Sequence, residues 1–467
     1  MLSLKRLSYV LLIVLGICAI FLFYNVNGEQ RDLFDEGRKV PEKELLLSKK
    51  AIEKDEERCF YIIGTEKKEV YGDIYRNVCR LLGDWGVSYK KTERLDMNGL
   101  VDDAVLVFCD DVVSDHVDLE QLAAFIEAGG KTVFAAGIPD GYQDSYLLPV
   151  LGIVEKTIKE NYRTFRFSEG FLPLQEEVMT YAGFNASTWL DLGDDAEVYA
   201  EDSEKKVPIV YSYPYGRGEI LMINATFLSD EGCGGILAAG IGSLLDEIMY
   251  PVLGTECVCL EHFPDVTYTN DAVCMKLYGR TTEAFIRDVV WPVFQGMAVR
   301  GGITYTSEEP GVSERDQSVL PEATEGMELE DGLMFTLASA LTSYGVISHT
   351  FDMNCFVYAN EKTTGWDTDR YRLEEFEKKI FSKTGYLQNV SLSESEYMVK
   401  SYREMEYTWK REGQEIEILT DHMVEGQPFF LRTEQEIAFA EGAEYTKISD
   451  DYYIVRLNKT KAVLTYR

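Results

Sequence analysis

Residues 104–138, AVLVFCDDVVSDHVDLEQLAAFIEAGGKTVFAAGI, read as a buried strand, a helix and a second buried strand in succession. The outer runs are apolar at nearly every position, which marks strands covered on both faces. Between them Asp118 offers an N-cap, Leu119, Leu122, Ala123 and Ile126 share one helical face, and Gly129-Gly130 stops the helix. A strand, a crossover helix and a strand require a parallel sheet.

The pattern repeats on either side. Upstream, CFYIIG at 59–64 is another such strand, followed by a helix with Ile74, Val78, Leu81, Leu82 and Trp85 on its apolar side. Downstream, residues 207–228 (VPIVYSYPYGRGEILMINATFL) read as two strands joined at Tyr215-Gly216-Arg217-Gly218, with glycines where positive φ is needed. Residues 58–250 are therefore expected to form a three-layer α/β domain. That stretch resembles the class I glutamine-amidotransferase-like fold, a flavodoxin-like three-layer arrangement, in members where a late Y-G-x-G hairpin returns to the sheet. The resemblance implies a nucleophilic Cys on a sharp strand-to-helix turn. Here KTVFAAGI leads into Pro139-Asp140-Gly141, and Cys109-Asp110-Asp111 lacks the flanking glycines of an elbow, so the domain is expected to be non-catalytic.

Residues 7–26, LSYVLLIVLGICAIFLFYNV, carry no charge and have about the length that a helix needs to cross a bilayer. Lys5 and Arg6 precede them, and Glu29, Asp32, Asp35 and Glu36 follow, so the positive-inside rule puts residues 1–6 in the cytoplasm and the bulk of the chain outside. A cleaved signal peptide is the competing reading, but no small-x-small site follows cleanly. Lipid attachment at Cys18 would need a small residue where Ile17 stands. Residues 27–57, rich in Glu, Lys and Arg, suit a charged stalk. The expected location is the cell membrane, single-pass, with the cytoplasmic membrane as one partner.

The formal net charge of −34, from 80 acidic against 46 basic residues, argues against nucleic acid as a partner, because phosphate backbones need basic grooves. An acidic surface suits a cationic partner such as a partly de-N-acetylated amino-sugar polymer, or is simply solvated. Of nine cysteines, Cys18 lies in the apolar run and the rest fit no zinc spacing. Cys59 and Cys109 read as core thiols. Cys257 and Cys259 share one face of a strand and are poorly placed to bond each other, so disulfide pairing stays undecided.

After Tyr250-Pro251 come a strand (CVCLEHFPDV), a helix containing Trp291, and a short strand at 303–306, which is a β-α-β start. This part resembles a bacterial family of unknown function related to the polysaccharide deacetylases and often associated with Pel-type exopolysaccharide biosynthesis. The matching pieces are Tyr250-Pro251, Phe263-Pro264 and residues 287–292, 303–307, 346–352 and 387–396. The resemblance implies a distorted β/α barrel with an Asp-Asp pair ending the first strand, one base and one metal ligand, and histidines from a later strand. In this chain the pair is Glu261-His262, and the later motif is His349-Thr350-Phe351-Asp352-Met353, with Met where a second His is wanted.

The resemblance thus implies Glu261 and Asp352 as catalytic candidates, and His262, His349 and Asp271 as ligands of a divalent metal such as zinc; otherwise no cofactor is expected. Ordinary readings stand beside these. His262 is also a polar strand end, His349 a half-buried ring satisfied by Asp352, and Asp271 part of an Asn-Asp turn. The chain has only four histidines, the others being His116 and His422. Residues 307–345, about forty in number, are few for the middle of a barrel, so residues 251–403 are expected to form a degenerate one.

Residues 387–400 look like a helix capped by Ser391 or Ser393, and 404–467 like short alternating strands that make a β-sandwich. The sandwich aromatics Tyr407, Trp409, Phe429, Phe430, Tyr452 and Tyr453 suit core packing or a sugar-stacking platform. The expected function is a non-catalytic binding or assembly component of exopolysaccharide biosynthesis or export, with polysaccharide and other synthesis proteins as partners. The alternative is a divergent metal-dependent polysaccharide deacetylase or glycan hydrolase. Fractionation of cells expressing the full chain checks the anchor: retention in carbonate-washed membranes is expected, and release into the wash contradicts it.

Overall fold

A computed structural model describes residues 45–48, 58–101, 103–173, 178–245, 247–261, 271–306, 317–319, 335, 338, 346–353, 356, 366–378 and 384–467. The expected transmembrane run at 7–26 lies outside them, and no helix of the described residues is long and apolar enough to cross a membrane.

The first half alternates as its periodicity requires. Strand β1 (Arg58–Ile63) leads into helix α1 (Glu69–Asp84), then come β2 (Tyr89–Thr92), β3 (Asp103–Phe108), α2 (Leu119–Glu127) and β4 (Lys131–Phe134). The chain continues through β5 (Ile153–Asn161), β6 (Thr164–Phe167), β7 (Met179–Thr180), β8 (Ala186–Leu192), β9 (Glu197–Asp202), β10 (Pro208–Tyr215) and β11 (Gly218–Ile223) to α3 (Gly234–Leu244). Nine strands join in the order β2-β1-β3-β4-β11-β10-β9-β6-β7, and the first five are mutually parallel.

Strand alternation makes the layers. Phe60, Ile62, Val105 and Val107 pack under α1 and α3, whereas Tyr61, Ile63, Leu106 and Phe108 pack under α2. Ile74, Val78, Leu81, Leu82 and Trp85 are all buried, as their spacing predicts, and each such side chain contributes about 1.5–3 kcal/mol. Asp118 caps α2 by accepting from the Gln121 N–H. The sequence did not announce β5 and β8, which pair with each other outside the large sheet, nor β6, β7 and β9, which extend it.

The expected boundary at 250 falls inside a strand. β12 (Glu247–Pro251) runs antiparallel to a strand from the far end of the chain. Tyr250, on β12, stacks on Trp85 of the first half with ring centroids 4.3 Å apart.

Next come β13 (Thr255–Glu261), α4 (Asp271–Tyr278), α5 (Thr282–Phe285), a π-turn at Ile286–Val290 and α6 (Trp291–Gly301). They are followed by β14 (Tyr305–Thr306), β15 (Gln317–Val319), β16 (Val346–Asp352), α7 (Trp366–Phe376) and β17 (Gln388–Asn389). Among the described residues these five strands make one all-parallel sheet, β14-β13-β16-β15, with β17 beside the start of β13. Helix α8 (Leu392–Glu404) starts at Ser391, which forms a capping box with Glu394.

The C-terminal strands are β18 (Glu406–Glu412), β19 (Glu415–Asp421), β20 (Gln427–Thr433), β21 (Ile437–Glu441), β22 (Ala443–Lys447), β23 (Tyr452–Leu457) and β24 (Lys461–Tyr466). They form two four-stranded sheets, β12-β20-β23-β22 and β18-β19-β24-β21, over a shared core of Ile416, Ile418, Phe429, Leu431 and Val455. Phe429, Phe430, Tyr452 and Tyr453 are buried, which gives them to packing. Residues 45–48, expected in the stalk, dock here: Leu46 bridges Met423, and the Ser48 N–H donates to Asp421 Oδ1 at 2.6 Å.

At the β10–β11 hairpin Gly216 has φ +64°, as the turn requires. Gly218 is needed for a different reason: a Cβ there would stand 2.1 Å from the Ile126 carbonyl oxygen and 2.4 Å from that of Gly130. Gly218→Ala should therefore lower stability by about 1–3 kcal/mol or more, while Gly99→Ala, with nothing within 4 Å, should stay near the parent. Thermal melts of the two variants check this.

Candidate functional site

The catalytic candidates Glu261 and Asp352 end neighbouring parallel strands. β13 and β16 pair in register from Glu256↔Ile347 to Glu261↔Asp352. Their backbones therefore lie side by side at the carboxyl edge of the sheet, the edge where α/β proteins hold ligands. Pairing brings together two acids that are ninety-one positions apart in the chain.

His349 is placed differently. It precedes Asp352 by three residues, and the two-residue period of a strand sets the two positions on opposite faces. The face of His349 is core: Val258, Leu260 and Phe351 lie there against Phe285, Trp291, Phe294 and Met297. His349 is 4% exposed and Glu256 5%. The ring Nε2 stands 2.6 Å from Glu256 Oε1, and the Thr384 hydroxyl donates to both oxygens of the same carboxylate at 3.1 and 3.3 Å. Phe376 meets the imidazole edge-on, with centroids 5.2 Å apart. A nitrogen at that distance from a buried carboxylate carries the proton of the bond and has no lone pair there for a metal.

Asp271 also has another use. It opens α4, and its Oδ1 accepts from the Thr282 N–H at 2.9 Å, joining the starts of α4 and α5. His262 lies outside the described residues. Among the described residues no three His, Cys, Asp or Glu side chains converge on a point that could hold an ion. Of the donors inferred from the sequence, His349 Nε2 faces Glu256 and Asp271 Oδ1 accepts from the Thr282 N–H.

At the carboxyl end of β3, Cys109 is fully buried, and burial pushes its thiol well above the usual range, with Cys79 and Asp110 adding to the shift. The next residue, Asp110, is buried beside Lys68 and His116. Lys68 Nζ donates to its Oδ1 at 2.6 Å, His116 Nε2 stands 3.1 Å from Oδ2, and the Val112 N–H donates to Oδ1 at 3.1 Å. Burial raises the Asp110 carboxyl, but the bonds from His116, Lys68 and Val112 outweigh it and hold the group at about 2.

The other ring nitrogen of His116 faces the Glu93 carbonyl oxygen, so both nitrogens stand near acceptors. Its pKa is raised, chiefly by Asp110 and against burial. Sequence reading passed over this triad. The available signal was a histidine between Val113 and Val117, a few residues after the Asp110-Asp111 pair that follows the strand.

A family model described as an uncharacterised protein conserved in bacteria (DUF2194) matches residues 87–310, just under half of the chain. No curated protein matches. Among solved structures, the carbohydrate deacetylase Agd3 is similar at 9% identity, with 88% of this chain and 98% of that one covered and a TM-score of 0.43. A ThuA-like protein from Bacteroides uniformis is similar at 12% identity over 42% of this chain and 93% of that one, with a TM-score of 0.30. A beta-galactosidase from Bacillus circulans sp. alkalophilus is similar at 13% identity over 39% of this chain and 30% of that one, with a TM-score of 0.28.

The Asp110 triad has a pH signature. Because the folded pKa of His116 lies above its ordinary value, its stabilisation is complete below about pH 6.5 and is lost as pH rises through the raised value. Asp110 acts in the opposite sense: its stabilisation is present above about pH 4 and is lost as pH falls toward its folded value of about 2. Calorimetry from about pH 5 to about pH 9 should show His116→Gln less stable than the parent at the acid end, with the gap closing as pH rises. Parallel curves would contradict the assignment.

Proposed function

We propose that this protein is a membrane-anchored, extracytoplasmic binding or assembly component of exopolysaccharide biosynthesis or export, whose deacetylase-like sheet has given up metal-dependent chemistry. One observation carries the reading: His349, the histidine that a deacetylase would offer to its metal, has its Nε2 on the buried carboxylate of Glu256. Removing either partner would leave the other buried without a match, which costs about 3–5 kcal/mol, and the pair sits on the core face of the sheet, with His349 only 4% exposed. The N-terminal apolar run, the acidic surface and the resemblance of residues 251–403 to the deacetylase-related family support the membrane and polysaccharide parts of the reading. The Pel-type association belongs to the same proposal.

A second reading keeps an enzyme. The backbone pairing of Glu261 with Asp352 favours it, since it sets two acidic residues at adjacent strand ends, and a pair of acids is what general acid–base hydrolysis of a glycan uses.

The detergent-solubilised full chain, dialysed against zinc and then offered N-acetylated glucosamine polymer, separates the readings. Substoichiometric zinc and no released acetate are expected. Stoichiometric zinc that is lost in both His262→Ala and His349→Ala, together with acetate release, would overturn the proposal. Hydrolysis abolished by Glu261→Gln or Asp352→Asn but retained in His349→Ala would establish the second reading.

A further inference from the structure

The nine-stranded sheet reverses its winding between β1 and β3, because the chain passes from β1 to β2 on one side and then to β3 on the other. In open α/β sheets the crevice outside the carboxyl ends of the strands at such a switch point is where ligands sit. Here separate segments converge on it. The first turn of α1 supplies Tyr71, whose hydroxyl donates to Asp111 Oδ2 at 2.5 Å, just beyond β3. β5 supplies Lys159, 3.6 Å from the same oxygen, and Lys156, which donates to Asp140 Oδ1 at 3.0 Å and to the Pro139 carbonyl oxygen at 3.2 Å. The Asp140 N–H donates to the Asp111 carbonyl oxygen at 2.7 Å, tying the turn after β4 to the turn after β3. Behind them the Lys68–Asp110–His116 triad fixes the floor.

From the turn after β4 Tyr142 projects with 99% of its surface exposed, so its ring has no part in the core. Alternating carboxylates and ammoniums, with an unburied ring two residues after Asp140, select a ligand by its chemistry. An apolar molecule would strip water from Asp111 and Lys159 without replacing it. A phosphate group would face Asp110, Asp111 and Asp140. A sugar ring offers hydroxyls that both donate and accept, and a C–H face for the aromatic ring.

We propose that the crevice at the carboxyl ends of β1 and β3 is a saccharide-binding subsite, in which Asp111 and Lys159 bond ring hydroxyls and Tyr142 covers the sugar face. This inference rests on the polysaccharide reading above and gives that reading a location in the first half of the chain, away from Glu261 and Asp352.

Isothermal titration of the detergent-solubilised full chain with chitohexaose and cellohexaose tests it. At least one oligomer should bind. Tyr142→Ala should weaken binding roughly three- to tenfold with an unchanged melting temperature, and Asp111→Asn about tenfold or more. Equal binding by the parent and both variants would overturn the subsite while leaving the polysaccharide reading in place. No binding of either oligomer by the parent would take down both.

Discussion

A chain with a net charge of −34 that buries carboxylates must match each of them, because an unpaired buried charge costs more than any single packing contact returns. Four places in the fold answer that demand in different ways. Asp110 has Lys68 and His116. Glu256 has His349 and Thr384. Glu247 on β12 takes Arg411 at 3.0 Å and the Tyr466 hydroxyl at 2.8 Å, so the strand that leaves the first half is bonded into the sandwich. Asp144 accepts three backbone N–H groups, from Val113, Ser114 and Gly141.

This matching explains where the scarce histidines went. His116 and His349 serve buried carboxylates, and the exposed His422 stands 3.4 Å from Asp421. In the parallel sheet around β13, His349 meets the buried carboxylate of Glu256. The same sheet still ends in Glu261 beside Asp352, so what persists at its carboxyl edge is acidic. The α/β half keeps its own carboxyl edge polar around a fully buried Cys109, whose thiol burial pushes well above its ordinary range.

Local patterns were legible because the forces that set them are local. The strand at 59–64, the apolar face ending at Trp85, the Asp118 cap and the turn at Gly216 all follow from neighbours within a few residues. Long-range pairing was not legible. Nothing near Glu247–Pro251 announces that the strand pairs with Gln427–Thr433, and nothing near Glu256 announces a histidine 93 positions away. The site candidates divide in the same way. Glu261 and Asp352 end neighbouring strands, and their adjacency depends on sheet register. His349 was read with Asp352 as its partner, whereas its Nε2 stands 2.6 Å from Glu256 Oε1. Gly218 was assigned a backbone torsion when the crowding of α2 is what excludes a side chain.

The account depends most on the coupling between Glu256 and His349, and a double-mutant cycle on unfolding free energy measures it. With Glu256→Gln, His349→Ala and the double variant, each single change should cost about 3 kcal/mol or more, and the double change clearly less than the sum. Additive, small losses at both positions would contradict the account, since Glu256 and His349 would then not be the matched buried pair on which it rests.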